Sequence, residues 1–376
     1  MIRTLVETKR ILVCAGPGGV GKTTTAAALG ILAARRGRRT LVSTIDPAPR
    51  LADALGLGNL SAEPQPLPDE TARALGIEAP GALFAARLDT ARAFRRLVED
   101  QVAEPEMRER IFANPIYRQI TSTLTGSQEY AATLALHELE RAGQYDLIVL
   151  DTPPTAHALD FLEAPRRIAN AISSPALQWF ARPPASSSLL SWQRLRAGPA
   201  LVVRRLGKFV GSRFLDDLGA FLLDFRDVLS GFLERAQAVE TLLRRQDVGF
   251  LLVLSPDVPA VSEALYFSSR LHAAHIPLCG FIANRVLTPP GLVDEAAVRS
   301  KLLRLPGLPA AGVNVAAHEL AQVGAYLERL ARAQKREIER LHHDAPGIDI
   351  TTVPLLTHDV SNVESLRRVG EFLEKG

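Results

Sequence analysis

Cysteine is scarce: Cys14 and Cys279 are the only two in a chain of 376 residues. They stand far apart, and each lies in a strand-like apolar run. That excludes a disulfide framework and a C-x-x-C metal site and leaves two small buried hydrophobes. Methionine is as rare, with two, which weighs against an adaptable, methionine-rich groove. No run of about five or six like charges occurs, so there is no basic or acidic tail. The net charge is +3. The isoelectric point of about 9.0 reflects an arginine excess rather than a basic block, and nucleic acid is not an expected partner. No apolar stretch reaches the roughly 18 residues of a membrane span. Met1 to Arg10 is too short and too charged for a signal peptide ahead of the first apolar run, so the cytoplasm is the expected location. No internal repeat is visible. Apolar residues are plentiful: 47% of the chain is hydrophobic, enough for one large α/β domain or two smaller ones.

Residues Gly16-Pro17-Gly18-Gly19-Val20-Gly21-Lys22-Thr23-Thr24 follow the apolar run Ile11 to Ala15 and open a helix-compatible stretch from Thr24 to Leu29. The spacing G-x-x-x-x-G-K-[ST] is met by Gly16, Gly21, Lys22 and Thr23. Its strand–loop–helix setting makes it a phosphate-binding loop rather than a chance glycine-rich turn. Glycines let successive backbone N–H groups turn inward around oxyanions without Cβ clashes. The helix that follows adds its positive N-terminal end. Lys22 is expected to reach the β- and γ-phosphates, and the Thr23 hydroxyl to ligate Mg2+. The expected nucleotide contacts are Gly16, Gly18, Gly19, Val20, Gly21, Lys22, Thr23 and Thr24.

Strand-like runs alternate with helical ones: 40–46, 82–88, 145–151, 249–254, 278–284 and 348–354 follow the first at 11–15. Near-continuous apolar strands separated by helices predict a parallel sheet covered on both faces, and such sheets bind ligands at the strands' carboxyl ends. Asp46, Asp151, Asn284 and Pro354 all fall at those ends. Proline-rich stretches at 59–80, 183–199 and 288–312 read as loops. Between 165 and 245 the period becomes helical, with Leu206, Val210, Phe214, Leu218, Phe221, Phe225, Leu229 and Phe232 at three- or four-residue steps. That stripe reads as the core of a helical subdomain, or as a hydrophobic surface for a partner or client helix. The predicted fold is α/β: a P-loop NTPase with a mainly parallel twisted sheet flanked by helices, plus a helical insert. One ATPase domain covers 1–376, with the insert at 165–245.

A phosphate loop needs a second acid for Mg2+, and Asp151 closes the apolar strand Leu147-Ile148-Val149-Leu150 where that acid belongs; the alternative is a plain helix N-cap. Asp46 is positioned to orient or deprotonate the attacking water, or else is a turn residue ahead of Pro47. Asn284 is a candidate for an adenine edge, with Pro354 and Leu355 packing on the ring. Guanine recognition typically uses Asn-Lys-x-Asp; Asn284 is followed by Arg285-Val286-Leu287, and no such run occurs elsewhere. ATP is therefore favoured over GTP. His157, after Asp151, reads as a solvent-facing or capping histidine.

The loop G-x-G-G-V-G-K-T-T, the segment Ser43-Thr44-Ile45-Asp46-Pro47-Ala48 and the segment Asp151-Thr152-Pro153-Pro154-Thr155-Ala156-His157-Ala158-Leu159 together resemble the arsenite-pump ATPase (ArsA) family. That family includes the ATPase that targets tail-anchored membrane proteins and is related to the MinD/ParA ATPases. The resemblance spans roughly residues 10 to 373. It implies that the first acid-bearing segment is switch I and the second switch II. It also implies that Asn284 and the run Val353-Pro354-Leu355-Leu356 contact adenine. A homodimer, or a heterodimer with a related ATPase, and a hydrophobic protein client are implied partners. The departures are specific. The family's signature lysine, which reaches across a dimer to the partner's nucleotide, falls at Pro17. The zinc-binding C-x-x-C and the arsenite-binding cysteines are missing, and the switch I histidine is replaced around Pro49-Arg50.

Three readings compete: a switch ATPase that hydrolyses Mg-ATP and couples nucleotide state to a partner or client, a nucleotide-binding regulatory or assembly module with little or no hydrolysis, and a phosphoryl-transfer kinase. Asp46 and Asp151 favour the first over the second.

Overall fold

In the computed structural model the described residues are 1–46, 48–79, 82–115, 117–118, 127–153, 170, 226–289, 291, 294–305, 309–357, 360 and 363–375. The described strands are β1 (Ile11–Ala15), β2 (Thr40–Thr44), β3 (Gln65–Pro66), β4 (Leu83–Arg87), β5 (Leu147–Asp151), β6 (Val248–Leu254), β7 (Leu278–Val286) and β8 (Ile350–Pro354). They form one sheet in the order β3-β4-β2-β5-β1-β6-β7-β8. Every pairing is parallel except that of β3 with β4. Strands β1, β2, β5 and β6 are buried at every residue, which is why β1, β6 and β5 up to Leu150 read as apolar runs rather than alternating ones, while β2 buries Thr40, Ser43 and Thr44 beside Leu41 and Val42. At the sheet edge β8 alternates, with Thr351 and Val353 buried and Thr352 exposed, the pattern of a strand covered on one face.

The chain divides into two compact units. The first comprises 1–87, 145–156 and 245–376 and holds the whole sheet; the second comprises 88–144 and 157–244 and is helical where described. In the first unit, helix α1 (Ile2–Thr8) precedes β1 and α2 (Lys22–Ala34) follows the phosphate loop. Eleven of the thirteen residues of α2 are buried. It contacts β1, β2, β4 and β5, together with α1, α3 (Arg50–Ala54) and α12 (Val363–Lys375), so it needs no polar face. Gly30 lets it sit that close: a Cβ there would fall 2.2 Å from Val42 Cγ2. A mid-helix glycine costs about 1 kcal/mol against alanine. The buried Leu29, Ile31 and Leu32 outweigh that at roughly 1.5–3 kcal/mol each.

The second unit contains α5 (Thr90–Gln101), α6 (Pro105–Ala113), α7 (Ser127–Ala142) and α8 (Arg226–Leu243). Asp89 caps α5 by accepting from Arg92 N at 2.9 Å. Of the expected insert at 165–245, only residue 170 and 226–245 are described. His157, the loop at 183–199 and most of the phenylalanine stripe lie outside the described residues.

Two of the expected loops contain structure. The stretch 59–80 holds β3 and α4 (Asp69–Ala74). The stretch 288–312 holds α10 (Glu295–Leu302), which Asp294 caps through the Ala296 and Ala297 amides at 3.3 and 3.2 Å, and the first turn of the long α11 (Ala310–Asp344). Between β6 and β7, α9 (Val258–Ala273) is capped by Asp257 accepting from Ala260 N at 3.0 Å.

Candidate functional site

The loop after β1 is shaped by its glycines. Gly16 has φ 149°, and a Cβ on it would fall 1.9 Å from the Val253 carbonyl oxygen on β6; the chain leaves the sheet against its neighbour's backbone. Gly19 (φ 76°) and Gly21 (φ 96°) are left-handed, a conformation costly for any residue with a Cβ. Gly21 is the N-cap of α2. Among the described residues no side chain caps this helix, and its first turn carries no acid. Its leading N–H groups and positive dipole end are thus left to face an anion.

Lys22, on the first turn, is 8% exposed and curls back so that Nζ donates to the Pro17 carbonyl at 2.8 Å. Burial lowers the lysine's pKa, and the neighbouring Asp151 carboxylate opposes that shift. The residue in the place of the signature lysine is itself buried, and its carbonyl holds the loop's own cation.

Asp151 ends β5 in register with Cys14 on one side and Thr44 on the other. Its Oδ2 accepts from the Thr23 hydroxyl at 2.7 Å and from the Thr44 hydroxyl at 3.2 Å. Its Oδ1 is buried with no hydrogen-bond partner among the described residues. Burial pushes the Asp151 pKa up to about 6, against the Thr23 hydrogen bond and the Lys22 charge. A buried carboxylate with an orphaned oxygen is expensive unless a cation compensates it. One hydroxyl and one carboxylate are the hard oxygen donors that Mg2+ takes alongside phosphate oxygens and water, so the residues present fit the ion.

Asp46 lies two residues past β2. Its amide donates to Thr44 Oγ1 at 3.1 Å, its Oδ1 accepts from Ala48 N at 2.9 Å, and its Oδ2 is 3.8 Å from Arg50 Nη1. Thr44 thus accepts from the Asp46 backbone and donates to Asp151, joining the two acids through one hydroxyl. Thr44 lies in the segment 43–48 that carries the family resemblance, but the sequence assigns it no role; only strand register sets it beside Asp151.

Asn284, near the end of β7, donates from Nδ2 to the Val20 carbonyl at 2.8 Å and accepts at Oδ1 from Arg285 N at 2.9 Å. Its amide therefore engages the phosphate loop itself, a contact beyond the expected adenine edge. Pro354 ends β8 opposite Val286. Leu355 donates its N–H to the Val286 carbonyl at 2.8 Å and is 51% exposed, which leaves its side chain open on this edge.

A family model described as an anion-transporting ATPase (ArsA ATPase) matches residues 9–176. An uncharacterized protein of Streptomyces coelicolor is 36% identical over 166 residues, covering 43% of this chain and 39% of that protein. A putative arsenical pump-driving ATPase 1 of Aquifex aeolicus is 22% identical over 376 residues, covering 97% of this chain and 78% of that protein. The ATPase GET3 of Malassezia globosa is 29% identical over 160 residues, covering 43% of this chain and 44% of that protein. The chain spans less than half the length of the first and third of these relatives. Among the described residues, no helix is long and apolar enough to cross a membrane.

Proposed function

We propose that this chain, similar to the anion-transporting (ArsA) ATPases over residues 9–176, is an ATPase of that kind that binds Mg-ATP at the phosphate loop and hydrolyses it as a molecular switch. The observation that carries this reading is the Thr23–Asp151–Thr44 cluster beside the loop, with the orphaned Asp151 Oδ1 within it. Loop N–H groups of residues 18–24 surround the phosphates. Lys22 exchanges the Pro17 carbonyl for the β- and γ-phosphate oxygens, a stronger, charge-assisted partner. Thr23 and Asp151 hold Mg2+, which when bound neutralises charge developing on the phosphoryl oxygens. Asp46 orients the attacking water and accepts its proton. Asn284, Pro354 and Leu355 border the nucleoside end.

The coupling follows from connectivity. The segment after Asp151 runs into the 165–245 region, and a γ-phosphate orders such segments and releases them on hydrolysis. The partner is a second copy or a related ATPase, with a hydrophobic protein as client and the cytoplasm as the setting. Hydrogen exchange over 165–245 then differs between ADP and a non-hydrolysable ATP analogue.

A second reading, a nucleotide-binding module with little or no hydrolysis, is favoured by one observation: the buried Pro17 carries no cation to offer a partner's phosphates. Phosphate release by the purified protein, with and without Mg2+ and against Lys22→Ala, decides between them. Mg2+-dependent turnover lost in Lys22→Ala supports the switch. ATP binding without turnover supports the module. Unchanged binding and turnover in Lys22→Ala overturns both.

A further inference from the structure

The end of β7 is held in a conformation that its own residues do not favour. Arg285 has φ 59°, left-handed for a residue with a long side chain, and the β7–β8 register shifts between Ala283 and Val286. Such geometry persists only where the surroundings over-determine it. Two side chains do so. From within the strand, Asn284 Oδ1 accepts from Arg285 N at 2.9 Å. From α11, Gln334 Oε1 accepts from Leu287 N at 2.7 Å, and Gln334 Nε2 donates to the Arg285 carbonyl at 3.3 Å. Gln334 thus grips the kink on both sides. The kink in turn aims Asn284 at the phosphate loop, where Nδ2 meets the Val20 carbonyl at 2.8 Å and sits so close to Gly21 that a Cβ there would fall 2.3 Å away.

We propose that Gln334 is a positioning residue for the phosphate loop, acting through Asn284, so that displacement of α11 changes the loop's grip on nucleotide. The link to nucleotide rests on the ATP-binding reading above; the link between Gln334 and the loop does not. Without the Gln334 contacts the kink relaxes toward ordinary strand geometry, Asn284 loses its aim, and the Val20–Gly21 turn loses its only side-chain hydrogen bond among the described residues. A purely structural glutamine that pins α11 to the sheet predicts something different: lower global stability with an unaltered loop.

The test uses Gln334→Leu, which keeps size and loses both hydrogen bonds, and Gln334→Glu, which keeps the acceptor for Leu287 N. Both are made alone and in an Asn284→Ala background. In the nucleotide-free protein, Gln334→Leu is expected to speed amide exchange across residues 19–25 by about three- to tenfold, the worth of one net hydrogen bond, with Gln334→Glu between it and wild type. In the Asn284→Ala background, Gln334→Leu should add nothing, because contacts acting in series are not additive. Mg-ATP affinity should fall by a similar factor and show the same non-additivity. Wild-type loop exchange in Gln334→Leu, or the same increment with and without Asn284, overturns the relay. If Gln334→Leu fails to fold, Gln334→Glu is compared with wild type in the same way. A wild-type protein that binds no ATP removes the proposed function, and the exchange measurements still decide the relay.

Discussion

Thr23 Oγ1 donates to Asp151 Oδ2 at 2.7 Å across 128 residues of chain, while Oδ1 of the same carboxylate has no hydrogen-bond partner among the described residues. The hydroxyl that follows the loop lysine and the acid that ends β5 are already in contact, at the expense of half a buried carboxylate.

That expense is pH-dependent. A pKa of about 6 in the fold against an ordinary 3.8 means that the folded protein binds this proton more tightly than the unfolded chain does. Stability of the metal-free protein therefore falls as pH rises from about 4 to about 6, by up to roughly 3 kcal/mol. Asp151→Asn removes the charge and keeps an acceptor for Thr23. In EDTA it should melt above wild type near neutral pH, and the gap should close by about pH 4. Thermal melts across that range check this; a gap that does not change with pH means the charge is not the cause.

The loop glycines should differ sharply in what they tolerate. Gly16→Ala drives a methyl into a main-chain oxygen 1.9 Å away that cannot swing aside, and should cost about 3 kcal/mol or more. Gly19→Ala meets nothing within 4 Å and pays only for its left-handed backbone, about 1–2 kcal/mol. Urea titrations of the two variants read the difference; equal losses would show that the close approach to Val253 yields.

Asp46→Asn should leave ATP affinity near wild type and slow cleavage by a factor on the order of 10² to 10⁴. Arg50→Ala is the control. Its guanidinium lies 3.8 Å from Asp46 and its side chain is 65% exposed, so its removal should shift stability by less than about 1 kcal/mol. Single-turnover measurements separate binding from cleavage. Wild-type cleavage by Asp46→Asn would make the residue a turn former, held by its bond to Ala48.

Pro17→Lys returns a cation to the loop. If two chains work face to face, turnover should rise by an order of magnitude or more, and only as protein concentration increases, because the added charge acts on the neighbour's phosphates. Light scattering in ATP accompanies the assay. A monomer at all concentrations, with no gain from the substitution, sinks the assembly.

Much of the sheet was legible because its signal is local. The apolar runs ending at Ala15, Asp151 and Leu254 are each one strand, and the phosphate loop is nine consecutive residues. β3 was not legible: it has two residues, one of them Pro66, and exists only by pairing with β4. α10 was hidden by the prolines on either side, although Asp294 followed by Glu295 was a readable start signal. Within the site, Thr44 matters only because register sets it beside Asp151 across 107 residues. Gln334 reaches Leu287 across 47. Contacts of that kind are fixed by packing, and a single sequence does not record them.

The helix behind the phosphate loop carries five alanines and one glycine among its thirteen residues and is enclosed almost all round. Where these small residues meet the sheet, their neighbours have little slack to absorb an added methyl. Divergence along it therefore has to be paired: a larger residue at Gly30 is tolerated only where Val42 has shrunk to match. Among homologous chains the volumes at these two positions should trade against each other, and the loop's geometry is inherited through that exchange as much as through its own glycines.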